Sequence, residues 1–363
     1  MWLLSYFSAV SLVILASQAT ENTQKSLHVE RPSITGSERN VTEFLTTYLQ
    51  DAGFTVETQV VEENRENVLA YFGSSRKTKV LVTSHLDTVP PHWPYERDGD
   101  VIRGRGTVDA KGSVAAQIIA TQTLLHEDKI LEGDVGLLYV VGEERGGLGM
   151  RQVNQLGLSW DSVIFGEPTE LKLARGHKGG LGFTITAKGK AGHSGYPETG
   201  TNAIDSLTRG LAALQRLELP WSEDFGNTTL NIGKIEGGVA GNVIPASAYA
   251  VGGVRVAAGT PDSLRSLITA AVSESDPNLE VEFTYGIGPV PIDYDVDGFE
   301  TVILNYGTDI PSLKGTHKRY LYGPGSILNA HSAHEYLTVS DLEEAVQGYQ
   351  RLITHSLKSG SSV

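Results

Sequence analysis

The feature that most constrains the fold is a set of short, almost wholly apolar runs separated by a helical segment. Lys79-Val80-Leu81-Val82-Thr83-Ser84-His85, residues 134–141 and residues 161–166 are each strand-length, with little polar alternation. A strand with one wet face alternates, whereas a strand covered on both faces does not. Residues 113–126, lying between the first two runs, read as a helix. Together they imply an α/β protein with a mostly parallel sheet covered by helices on both faces. In such sheets a site assembles outside the carboxyl ends of the strands. His85, Glu143, Glu144 and Glu167 all stand at such ends.

A helix at residues 37–52, closed by Gly53, precedes two further strands at 54–60 and 67–72. Near His177 the rhythm changes. Residues 180–189 alternate as a strand, 201–217 read as a helix, and strands follow at 227–236 and 246–257. A helix at 261–273 and a strand at 279–285 complete an α+β layer, two helices on an antiparallel sheet. The expected organisation is a first domain over 20–176, an inserted α+β domain over 177–288, and a return to the first domain over 289–363, ending in a helix near 340–357.

The segment 1–19 is apolar and carries no Asp, Glu, Lys or Arg. Its core is too short to span a bilayer comfortably, and Ser17-Gln18-Ala19 supplies small residues at the spacing a signal peptidase accepts. We read it as a cleaved signal peptide, which predicts a secreted, extracellular protein; an uncleaved anchor is the alternative. The chain has no cysteine, so its core and any bound metals must hold it. Asn40-Val41-Thr42 and Asn227-Thr228-Thr229 are N-glycosylation sequons. The net charge of −14 argues against nucleic acid and against an anionic membrane surface as partners, but not against metal ions.

Gly142-Glu143-Glu144-Arg145-Gly146-Gly147 follows an apolar strand. Neighbouring side chains in extended backbone point opposite ways, so one carboxylate can bind a metal while the other faces a different atom. A solvated acidic turn is the plainer reading. His85 and Asp87 share a face, so Asp87 can accept the second ring proton of a ligating His85; a structural pair is the alternative. Gly104-Arg105-Gly106-Thr107-Val108-Asp109-Ala110-Lys111-Gly112 is a glycine-bounded loop before a helix. Asp109 stands where a dinucleotide loop has its third glycine, and its carboxylate would repel phosphate. It reads either as a helix cap or as a metal-bridging acid. Glu167 follows another strand, and His331 and His334 lie in a late loop where His334 reads as an exposed residue. A serine nucleophile is excluded at Gly192-His193-Ser194-Gly195-Tyr196, which breaks the G-x-S-x-G pattern at its last position.

The runs SHLDTVP, GRGTVDAKG, GEERGG, GEPTE and GPGSILNAHSAHEYL, in this order, resemble the M20 metallopeptidase family across nearly the whole mature chain. Within it the chain looks most like the secreted fungal carboxypeptidases, relatives of acetylornithine and succinyl-diaminopimelate deacylases. The resemblance implies a catalytic domain split by a lid or dimerisation domain, and two zinc ions per subunit. It implies His85 and Glu167 on one ion, Glu144 and His331 on the other, and Asp109 bridging both. It further implies Glu143 as general base, acting on a metal-activated water, and Asp87 as the acid that orients His85. His193 matches the family's lid histidine, often given across a dimer interface, and Asn242 and Arg255 match positions that grip a substrate carboxylate. Family members usually carry an acid two residues before that arginine, whereas this chain has Gly253.

Members with Glu at the Glu167 position tend to be carboxypeptidases or deacylases, and aminopeptidase-like relatives tend to have Asp. The implied activity is therefore release of a C-terminal amino acid from a peptide or N-acyl amino acid. The alternatives are an aminoacylase or N-deacetylase on small N-acyl amino acids, and a non-catalytic, metal-stabilised binding protein. A His and carboxylate donor set also accepts cobalt or manganese. The implied partners are the substrate and a second copy of the chain, bound through the inserted domain.

Overall fold

The computed structural model describes residues 32–359, so the segment read as a signal peptide lies outside the described residues. Among the described residues no helix is long and apolar enough to cross a membrane. The principal elements begin with α1 (Arg39–Asp51), β1 (Thr55–Glu62), β2 (Arg65–Tyr71), β3 (Val80–His85), α2 (Lys111–His126), β4 (Val135–Val140), α3 (Leu148–Val153) and β5 (Ser162–Gly166). Then come β6 (Gly179–Lys188), α4 (Ala203–Gln215), β7 (Thr229–Gly237), β8 (Ser247–Val256), α5 (Pro261–Ser275) and β9 (Leu279–Ile287). β10 (Lys318–Tyr322) and α6 (Val339–Ser359) close the chain. The chain forms two compact units: Gly176–Pro291 with Ile303–Gly307 make the second, and the rest of the described chain makes the first.

In the first unit the strands lie in the order β1-β2-β4-β3-β5-β10. β4, β3, β5 and β10 run parallel, and the β1–β2 hairpin adds an antiparallel edge. Each residue of β3, β4 and β5 is buried, as strands covered on both faces require. One sheet face carries Val80, Val82, Leu137, Tyr139, Ile164 and Tyr320, in one core with Leu45 and Leu49 of α1, Val114 and Ile118 of α2, and Tyr349 and Leu352 of α6. The opposite face, with Leu81, Leu138, Val163 and Leu321, is buried as well. α1 is helical because Val41, Leu45 and Leu49 recur on one side. Burying each leucine contributes ~1.5–3 kcal/mol. Gly53, at φ +88°, lets the chain turn out of the helix.

β3, β4 and β5 are in register, with His85 opposite Val140 and Thr83 opposite Phe165. Their carboxyl ends therefore open on one edge of the sheet, joined there by Tyr322 of β10 opposite Gly166.

The second unit is an antiparallel sheet in the order β7-β8-β6-β9. Leu181, Phe183 and Ile185 of β6 alternate inward against Leu207 of α4 and Leu264, Ile268 and Val272 of α5. Asn202 caps α4 by accepting from the N–H groups of Ile204 and Asp205, and Thr260 with Ser263 forms a capping box on α5. This is the α/β architecture with an inserted α+β part that the sequence predicts. Two of the principal elements named above were not foreseen. β10 opens with Lys318 and Arg319 and lacks an apolar run of strand length, and α3 has only six residues.

Candidate metal centre

Each acid and histidine singled out at the strand ends sits where the chain leaves the sheet. His85 is the last residue of β3, Glu143 and Glu144 lie in the turn after β4, and Glu167 directly follows β5. Asp109 stands two residues before α2, and His331 lies in the loop after β10. The turn after β4 is built on Gly142, Gly146 and Gly147, all with φ between +69° and +95°. L side chains are strained in that region, so the glycines are what allow the tight reversal. It is closed by the Gly147 N–H donating to the Gly142 carbonyl at 3.0 Å.

Asp87 secures this turn from below. Its carboxylate accepts from the N–H of Glu143 at 3.0 Å, the N–H of Glu144 at 3.2 Å and the Thr35 hydroxyl at 2.8 Å. The His85 Nδ1 lies 2.9 Å from the Asp87 backbone carbonyl and 3.6 Å from its carboxylate. The backbone oxygen is thus the nearer acceptor for the ring proton, and the carboxylate spends its hydrogen bonds on the glutamate turn. These contacts leave His85 Nε2 facing the centre.

Asp109 does not cap α2, whose N-cap is Ala110 and carries no side-chain cap. Instead its two oxygens divide. Oδ1 lies 2.9 Å from His85 Nε2, and Oδ2 lies 3.2 Å from His331 Nε2. Glu167 Oε1 is 3.9 Å from His85 Nε2, and Glu144 is 3.1 Å from His331 Nε2. His85, Asp109 and Glu167 thus form one group of donors, and Asp109, Glu144 and His331 another, each with its ligand atoms within 4.8 Å of one another. His331 is held at φ +61°, a left-handed backbone that costs a non-glycine residue energy, and its half-exposed ring reaches Asp109 and Glu144.

The electrostatics agree with a cation-binding role. Burial, together with neighbouring carboxylates, pushes the Glu143 and Glu167 carboxyls well above their ordinary range, and Glu144 rises for the same reasons. Hydrogen bonding to Asp109 and Glu144 lifts His331 to about 10. Burial opposes the ionised form of Asp109, but His331 and His85 outweigh it and hold that carboxyl low. Three carboxylates, those of Asp109, Glu144 and Glu167, with two imidazoles form a set of hard and borderline donors without thiolate. Such a set fits zinc and similar divalent ions, whose charge would offset the repulsion.

Glu143 belongs to neither donor group. Among the other predicted residues, His193 is exposed on a short strand paired with Val243 in the second unit. The Gly195 N–H donates to its Nδ1 at 3.0 Å, which places the ring proton on Nε2. Asn242 is exposed beside it in the backbone network, its carbonyl accepting from the Ser194 N–H. Arg255 is exposed on β8, opposite Gly180 and Thr229. His334 is exposed in the late loop, as the sequence suggested.

Sequence reasoning gave no role to two buried acids. Glu335 accepts backbone N–H groups of the Asp109 loop. Its position four residues after His331 is a signal that could have been read. Asp309 is 5% exposed, close against Gly147, and burial pushes its carboxyl up to about 7. No pattern around Gly307-Thr308-Asp309 announces it.

Comparison with known proteins gives the site a context. A family model for a peptidase dimerisation domain matches residues 175–280, and one for peptidase family M28 matches residues 67–162. A probable carboxypeptidase of Aspergillus clavatus is 49% identical, over 91% of this chain and 87% of that one. A peptidase M20 domain-containing protein of Schizosaccharomyces pombe is 48% identical, over 92% and 84%. Among solved structures, an M20 family metallo-carboxypeptidase of Sulfolobus solfataricus shares the fold, with a TM-score of 0.74 at 18% identity over 93% of this chain and 99% of that one. A tripeptidase of Staphylococcus aureus does so with a TM-score of 0.79 at 21% identity over 94% and 99%. The chain belongs to the M20 family of metallopeptidases.

Proposed function

We propose that this peptidase is a secreted carboxypeptidase with two zinc ions per subunit, releasing a C-terminal amino acid from a peptide or N-acyl amino acid. The observation that carries the reading is the division of the Asp109 oxygens between His85 and His331. One carboxylate shared by two complete donor groups is what a paired centre needs. His85, Asp109 and Glu167 would hold one ion, and Asp109, Glu144 and His331 the other. When bound, such ions polarise the scissile carbonyl and acidify a water. Glu143, outside both donor groups, would take the proton of the attacking water and return it to the leaving nitrogen. His193, protonated at Nε2, would donate to the oxygen of the scissile carbonyl as charge develops there. Asn242 and Arg255 would bind the free carboxylate of the departing residue.

The carboxypeptidase assignment is supported by the names of the fungal relatives and by Glu167 in place of Asp. Secretion is supported by the apolar, uncharged segment 1–19, and glycosylation by sequons whose Asn40 and Asn227 are exposed. The match to a dimerisation domain supports a homodimer, which size-exclusion chromatography with light scattering would test.

The decisive assay is hydrolysis of a small panel with and without zinc: N-blocked dipeptides with a free C-terminus, N-acetyl amino acids, and C-terminally blocked dipeptides. Zinc-dependent cleavage of the first set is expected. Cleavage of the second set alone would make the protein an aminoacylase. Cleavage of only the third would overturn the roles of Glu167, Asn242 and Arg255, and inactivity of a zinc-loaded protein would favour a binding role.

A further inference from the structure

We infer that Glu335 is a positioning residue for the centre, holding the backbone of the shared aspartate to the loop that carries His331. The inference rests on reading Asp109 as a metal ligand. Glu335 is 2% exposed, and so is Arg105. One Glu335 oxygen accepts from the N–H of Val108 at 3.0 Å and the N–H of Asp109 at 3.3 Å, while the other accepts from Arg105 Nη1. The Glu335 backbone carbonyl also accepts from the Gly104 N–H at 3.2 Å. A single residue thereby spans the loop from Gly104 to Asp109, 226 residues away from it at the far end.

A carboxylate removed from water persists only where its lone pairs are satisfied, and charged acceptors bind N–H groups more strongly than neutral ones. The N–H of Asp109 is one bond from the Cα that carries the ligating carboxylate. Fixing that N–H fixes the Cα–Cβ direction from which the two oxygens reach His85 and His331. Holding the fold together is not what requires this side chain. The same segments are already joined by backbone pairing of Tyr336, Leu337 and Thr338 with Arg103, Ile102 and Val101. Glu335 adds orientation of Asp109.

The test is zinc affinity of the folded full chain, measured by competition with a chromophoric chelator, with circular dichroism and apo-protein melting as controls. Glu335→Ala is expected to weaken zinc binding about 10–100-fold, the range seen when groups behind a ligand are removed. Glu335→Gln keeps an acceptor of similar shape but loses the charge and sets an amide against Arg105; about tenfold weakening is expected. The Gln variant decides whether or not the Ala variant folds. Wild-type zinc affinity in folded E335Q, even with a lowered melting temperature, overturns the inference. Asp109→Ala separates the two ideas. If it binds zinc as the wild type does, the metal reading itself falls; if it is impaired while E335Q is not, only the role of Glu335 falls.

Discussion

Glu143 and Glu144 are neighbours with divergent surroundings. Glu144 faces His331 at 3.1 Å, whereas the Glu143 carboxylate belongs to neither donor group and feels chiefly burial and the charge of Glu167. Glu143→Gln should therefore leave zinc stoichiometry intact while lowering kcat by about 10²–10⁴-fold, the range for loss of a general base. Parallel measurement of bound zinc and turnover checks this, and full activity in E143Q would remove the mechanism. At this scale the sequence was most legible where a motif fixes both residue type and chain position, as with His85, Asp109 and Glu144. It was least legible at Asp309, whose burial depends on contacts with the Gly147 turn that no local pattern encodes. The geometry of Asp87 lay between these cases. Its place beside His85 was foreseeable, but that its backbone carbonyl is the nearer acceptor for the ring, and its carboxylate grips the Glu143 and Glu144 N–H groups, depends on how the chain leaves β3 and β4.

Among elements, the short helix α3 shows how close packing holds the glutamate turn. Gly149 lies against the end of β4, its N–H on the Val141 carbonyl at 3.0 Å, and Asn67 bridges both with its side chain. A Cβ at Gly149 would stand 2.2 Å from the Val141 carbonyl oxygen, a backbone atom with little room to yield. Gly149→Ala should cost about 1–3 kcal/mol, read as a lowered urea midpoint. In the second unit, Asp276 caps the end of α5 and pairs with Arg209 of α4. Burial alone would raise its carboxyl, but hydrogen bonds from Arg209 and the Asn278 N–H outweigh that and bring it to about 2. Because the folded value lies below the unfolded one, the stabilisation is present above about pH 4 and fades as pH falls through about 2. Melting curves of wild type and Asp276→Asn should differ at neutral pH and converge near pH 2. Long periodic helices and buried strands were readable because many residues vote together. β10 was not, because its three buried residues follow two charged ones and it is recruited by pairing with β5.

For the whole molecule, each unit has its own apolar core, and both donor groups lie in the first. Calorimetry should therefore resolve two transitions, of which zinc raises only one. At free zinc a hundredfold above Kd the gain is ~2.7 kcal/mol per site, and a chelator should reverse it. A single transition that moves as a whole would show the units to be coupled in unfolding. The insertion also explains why the centre could not be located from one stretch of sequence: Glu144 and His331 meet although 187 residues separate them.

That separation has a consequence for the order in which the molecule is made. As the chain emerges during synthesis, His85, Asp109, Glu144 and Glu167 are complete long before the insertion ends. The strand that returns beside β5, and the loop that brings His331 and Glu335, are made only after it. A product stopped short of that loop has a single donor group and an unanchored Asp109. The second donor group is thus complete only once the chain has been translated past His331.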